Sequence, residues 1–236
     1  SAGMMLDIFS SFDPGFYSFT GNLSGVVFWG LSVLSVSVFL VSFWVVPSRI
    51  SMVVFLLSGF MFSQSQRTVG NLIKGFNSLL SALFIFIIIV NFIGLIPYVF
   101  SVSSHLVFSL SFGLPIWLSV VISGAVAFSS SFLAHLLPGG APGWLNPFLV
   151  LVESVSIMVR PITLSFRLAA NMSAGHIVLT LMGVYAGSAF FSSVATFLML
   201  ILVQMFYIIF EMGICLIQSY IFCLLASLYS DDHPLS

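Results

Sequence analysis

The sequence predicts an all-α integral membrane protein, and three observations carry that prediction. Of 236 residues, 60% are hydrophobic and only 5% are charged, where ordinary soluble domains carry about 25% charged residues. From Gly75 to Val152 there are 78 residues without a formal charge, several times the roughly 20 that one spanning helix needs. These runs are continuously apolar, whereas a transmembrane β-barrel is written in short segments of alternating polarity. The spans are therefore helical.

Residues 1–25 read as a polar N-terminal segment with Asp7 and Asp13, ahead of a single membrane domain at 26–236. They show neither a basic stretch ahead of an apolar core and cleavage site nor an Arg-rich transit pattern. The first span is expected at Val26–Val46, stopped by Pro47-Ser48-Arg49, because proline interrupts a helix and arginine resists hydrocarbon. Between about 50 and 76, Val53, Val54, Leu57, Phe60 and Met61 recur at helical spacing while Gln64, Gln66, Arg67 and Lys74 are polar. That pattern suits an amphipathic helix lying in the interface. Leu79–Val99 is the next span, and a polar turn at Ser101–His105 leads to a third around Leu114–Leu137. Pro138-Gly-Gly-Ala-Pro-Gly-Trp144 is a loop by its punctuation.

The last 90 residues allow two divisions. Pro147–Tyr185 and Ser188–Tyr229 would be helices of 39 and 42 residues, roughly 58 and 63 Å long, too long to stand upright in a core about 30 Å thick. Two strongly tilted helices joined near Gly183–Gly187 answer this. Upright spans at 168–186, 190–210 and 212–230 answer it equally well on hydropathy. Arg49, Arg67 and Lys74 lie between the first and second spans, so that side is the matrix or cytoplasm, with the N-terminus outside and the C-terminus inside.

Arg167 is the most informative residue. It follows Glu153 and Arg160, and the next 43 residues hold no Asp, Glu, Lys or Arg until Glu211. A charge at a helix centre costs about 2.5–3.5 kcal/mol on insertion scales, and chains that keep one use it to handle ions. Cys215 and Cys223 lie in an apolar run, which suits packing better than a disulfide or metal pair.

Glu153 and, fourteen residues on, Arg167-Leu-Ala-Ala-Asn171-Met-Ser-Ala-Gly-His176, followed by Glu211 and Gln218-Ser-Tyr-Ile-Phe222, resemble subunit a (ATPase subunit 6) of the rotary F-type ATP synthase. Asn91-Phe-Ile-Gly-Leu-Ile-Pro-Tyr98 and Ala134-His-Leu-Leu-Pro-Gly-Gly-Ala-Pro142 match as well. The resemblance runs from about Phe9 to Tyr229, and the placement of His176 and Glu211 looks like the mitochondrial branch. It implies about six helices: one upright N-terminal span, one interfacial helix, two further spans and a long tilted C-terminal hairpin. It implies a stator subunit in the mitochondrial inner membrane, N-terminus toward the intermembrane space and C-terminus toward the matrix. Partners so implied are a c-ring of proteolipid subunits, peripheral stalk subunit b, small membrane subunits, lipid and protons. No nucleic acid, metal or cofactor is expected.

The family's task is to pass protons across the membrane while turning the ring. Two aqueous half-channels reach the ring from opposite sides, and the cation between them must never lose its proton. Arginine satisfies this and lysine does not. The resemblance gives Arg167 the separator role, His176 and Glu211 the outer half-channel, Glu153 the inner one, and Asn171 and Gln218 the support of Arg167 and of a ring carboxylate. Spacing agrees: Glu153 returns to nearly the face of Arg167 about 21 Å away, and His176 projects from nearly the opposite face about 13 Å further out. Across the hairpin, Arg167 with Gln218 and His176 with Glu211 have residue numbers with the near-equal totals 385 and 387, which pairs them.

Plainer readings stand beside these. Without the motif, Arg167 is a snorkelling interfacial charge, His176 with Glu211 a structural ion pair, and Glu153 a carboxylate at a helix start. Asn91 suits the outer channel or an interhelical amide bond equally. Arg160 sits seven residues from both Glu153 and Arg167 and balances Glu153. His105 and His135 are loop residues, Gly175 and Ala174 permit close helix approach, and Asp231, Asp232 and His233 form a solvated tail.

The alternative function is a proton-pumping membrane subunit of a respiratory dehydrogenase, which also buries lone charges. Such subunits rely on buried Lys and Glu relays, and the one lysine here, Lys74, is outside the spans. Haem binding would need paired histidines on facing spans, and a secondary transporter would show inverted repeats. No Gly-rich phosphate loop is present, so nucleotide chemistry belongs to other subunits.

Overall fold

Peptide groups in hydrocarbon must bond to one another, and a continuous helix lets a single segment achieve this. The computed structural model describes residues 12, 30, 34, 49–68, 70, 74–96, 101–127, 134 and 145–231. Among them run five α-helices: α1 Arg49–Ser65, α2 Phe76–Gly94, α3 Leu106–Ala127, α4 Asn146–Ser192 and α5 Val194–Asp231, with a 3-10 turn at Val102–Ser104. The last four helices are long and apolar enough to cross a membrane. The chain is a multi-pass, all-α membrane protein. Save for single positions, the expected N-terminal segment and the 26–46 span lie outside the described residues, as do His135, the 138–144 loop, Asp232 and His233.

Several helix ends depart from the sequence reading. Glycine content places the hairpin turn near Gly183–Gly187, but α4 runs through both glycines and breaks at Ser193. Glycine weakens a helix by about 1 kcal/mol, whereas a peptide group left unbonded in lipid costs several, so the helix continues. At Ser193 the carbonyl accepts from the Phe197 N–H at 3.2 Å and the hydroxyl lies 2.5 Å from Thr196 Oγ1, so α5 begins directly after the break. The third span starts at Leu106 rather than Leu114 and holds Pro115 within it. α1 ends at Ser65 instead of reaching 76, closed by Thr68 Oγ1 donating to the Ser65 carbonyl at 2.8 Å. Gly75, at φ 84°, turns the chain into α2 through a conformation that favours glycine.

Contacts group the chain into two units. In the unit formed by Phe55–Ile85, Leu106–Arg167 and Tyr220–Ser236, Phe76, Leu80, Val120 and Ala226 form a buried cluster with Ile116 against it. Cys223 Sγ points at the Leu80 carbonyl, 3.8 Å away, and a Cβ built at Gly113 would meet the Pro161 carbonyl at 3.7 Å. The other unit takes in Ser1–Val54, Phe86–His105 and Leu168–Ser219. There α4 and α5 run antiparallel: the Phe190 and Phe197 rings stand 5.3 Å apart, Met172 Sδ lies 3.5 Å from Cys215 Sγ, and Gly175 abuts Glu211. The residue numbers in each pair total 386 or 387, which centres the hairpin on Ser193. The most apolar window of α2 is 56% buried and that of α5 only 11%. Apolar surface on α5 therefore faces lipid or partner chains.

Candidate functional site

Glu211 is 2% exposed, in the middle of α5. It fits there because Gly175 on α4 has no side chain: a Cβ at that position would fall on the Glu211 carboxyl group. Tyr207 lies one helical turn earlier on the same face of α5, while Oε2 of Glu211 is buried with no hydrogen-bond partner. His176 follows Gly175 directly and is half-buried, its Nε2 likewise buried and unpartnered. The Phe12 ring stands edge-on to the His176 imidazole, 6.4 Å between centroids. Asn91 on α2 is fully buried, and neither its Oδ1 nor its Nδ2 has a partner.

Each unmet buried polar group costs about 1–3 kcal/mol, and native structures satisfy nearly all of theirs with protein or ordered water. Three residues on three helices of one unit thus hold hydrogen-bonding capacity that the polypeptide does not use. Because both Nε2 of His176 and Oε2 of Glu211 remain open, these two side chains are not a closed structural ion pair. The residue that Glu211 abuts is Gly175, one position from the expected His176.

In the other unit, Glu153 and Arg160 form an ion pair, Oε1 to Nη2 3.6 Å, at 39% and 32% side-chain exposure. The Arg160 guanidinium also lies over the Tyr229 ring, 5.6 Å from its centroid. So placed, the pair contributes of the order of 1 kcal/mol at most. Balancing Glu153 is the role that spacing gives Arg160. Arg167 is exposed on α4, with exposed Thr163 and Ala170 and half-buried Asn171 one turn away on its face, while Leu164, Ser165, Leu168 and Ala169 are buried. A permanent cation thus stands outward on a helix long and apolar enough to cross a membrane. Asn171, one turn further along α4, and Gln218 on α5 are half-buried.

Sequence reasoning misses Tyr207 and Met172, and it credits Gly175 only with close helix approach. Tyr207 is findable, since it lies four residues before Glu211 and shares its helix face. Met172 is not, because its neighbour Cys215 is 43 residues away in the chain.

Residues 19–231 match the family described as ATP synthase A chain, a range that holds Asn91, Glu153, Arg160, Arg167, Asn171, His176, Glu211 and Gln218. The chain belongs to that family. The ATP synthase subunit a of Artemia franciscana is 40% identical over 232 residues, covering 97% of this chain and 100% of that protein. The subunit a of Locusta migratoria is 36% identical over 230 residues, at 97% and 99% coverage. That of Albinaria caerulea is 37% identical over 233 residues, at 98% and 100%. Membership thus extends over almost the full length of chain and relatives alike.

Proposed function

We propose that this chain is the stator subunit of the membrane sector of an F-type ATP synthase, in the mitochondrial inner membrane. It forms two aqueous proton half-channels against a ring of c subunits, and Arg167 separates them. The observation that carries this reading is Arg167, an exposed permanent cation on a helix long and apolar enough to cross a membrane. Leaving a charge there against lipid costs about 2.5–3.5 kcal/mol or more, so the face calls for an anionic partner from another chain. A carboxylate on a ring helix is such a partner: Arg167 favours its ionised form, and a ring site must release its proton before it passes.

His176, Glu211 and Asn91 then line the outer half-channel, their open polar atoms taking water and relaying protons. Asn171 and Gln218 support the guanidinium and the ring carboxylate. Glu153, screened by Arg160, lines the inner exit. The N-terminus faces the intermembrane space and the C-terminus the matrix, with subunit b and small membrane subunits as further partners. Each proton falling through 100 mV supplies about 2.3 kcal/mol, which drives ring rotation and ATP synthesis in the complex.

The test is Arg167→Ala in the assembled complex, with ring attachment checked and both passive proton leak and proton-driven ATP synthesis measured. Synthesis should vanish with assembly intact, and leak should rise. Coupled synthesis retained without Arg167 would refute the separator role.

A further inference from the structure

The surroundings of Glu211 hold a donor set that proton transfer does not use. Cys215 lies one turn after Glu211 on α5, and its Sγ is 3.5 Å from Met172 Sδ on α4. Cys215 is 0%, Met172 1% and Glu211 2% exposed, and Glu211 Oε2 is buried without a partner. A thiol, a thioether and an open carboxylate oxygen thus occupy neighbouring positions on facing helices of one unit. Soft sulfur donors select soft cations such as Cu(I), and a carboxylate adds charge balance.

We propose that Cys215, Met172 and Glu211 form a binding site for a soft monovalent cation, Cu(I) or Ag(I), whose occupation stops proton transfer at Glu211. Binding is a simple exchange. The Cys215 thiol releases its proton to water as its sulfur bonds the ion, the thioether of Met172 donates a lone pair, and no electron changes hands. Whether the bound ion stops proton flow rests on the function proposed above; the binding itself does not.

The experiment uses the assembled complex in sealed vesicles, with silver nitrate in chloride-free buffer as the probe. Two quantities are read: silver-dependent inhibition of proton pumping, and sulfur coordination at silver by X-ray absorption. Silver should inhibit the parent complex, and Cys215→Ser and Met172→Leu should each raise the half-inhibitory concentration by at least about tenfold, the lower end of what losing even an outer partner costs a metal site. Both variants should pump normally without silver. Cys223→Ser, altered at the cysteine beside the Leu80 carbonyl, should leave silver sensitivity unchanged. The sulfur signal should fall in Cys215→Ser relative to the parent. Equal sensitivity and equal sulfur signal in parent and Cys215→Ser would overturn the site. Silver held by Cys215 while pumping continues would keep the site, overturn the block, and count against Glu211 as a proton carrier.

Discussion

Replacing Gly175 with alanine adds one methyl group at the position the Glu211 carboxyl occupies. Two terms of opposite sign follow. Alanine in a helix interior is favoured over glycine by roughly 0.5–1 kcal/mol. Against this, forcing extra volume into a packed interior costs typically about 1–3 kcal/mol. Glu211 is 2% exposed, so its carboxyl group must shift within a packed interior, and the second term should win by about 1–2 kcal/mol. Gly183 provides the control, since it lies on the same helix and a Cβ there meets nothing within 4 Å. Gly183→Ala should therefore stabilise by roughly 0.5–1 kcal/mol. Denaturant titration of the purified complex, followed by release of this subunit, measures both. The function should move further than the stability. A catalytic group displaced by about 1 Å can lose on the order of 100-fold in rate, so proton-driven ATP synthesis in Gly175→Ala should fall at least about tenfold while Gly183→Ala stays near the parent. If the two alanine variants behave alike in stability and rate, Glu211 is not seated against Gly175 and the derivation of the site fails.

Two further outcomes are expected. Leu80 is fully buried against Phe76, Val120 and Ala226. Leu80→Ala should destabilise by about 2 kcal/mol, near the low end for buried leucine, because in lipid the lost packing remains while the water-transfer contribution shrinks; the same titration checks it. His105, in the turn between α2 and α3, is held below its ordinary value of 6.5 by burial. Its unfolded form therefore binds a proton first as pH falls, so the stability it contributes is complete above 6.5 and declines below it. The slope of melting temperature against pH in that window should flatten in His105→Gln, and an unchanged slope would exclude His105 as its source.

Much of this molecule is legible in one dimension because hydrocarbon permits so few arrangements. Long uncharged runs must be helices, and a charge kept among them must have work to do; Arg167, Glu211 and His176 stand out for that reason alone. The antiparallel register of α4 and α5 is also readable, since totals of 385 and 387 anticipate the Met172–Cys215 and Gly175–Glu211 contacts. Glycine content misplaces the turn, because glycine signals breaks in water, where a freed peptide group finds new partners, and loses that meaning in lipid. Nor could a sequence say that Glu211 abuts Gly175, that a thioether lies beside Cys215, or that Arg167 faces outward while His176 and Asn91 are left with open polar atoms. Residue type and spacing set the inventory of charges and the period on which they fall. Burial and partnership depend on which faces of distant helices meet, and only the packed structure decided those.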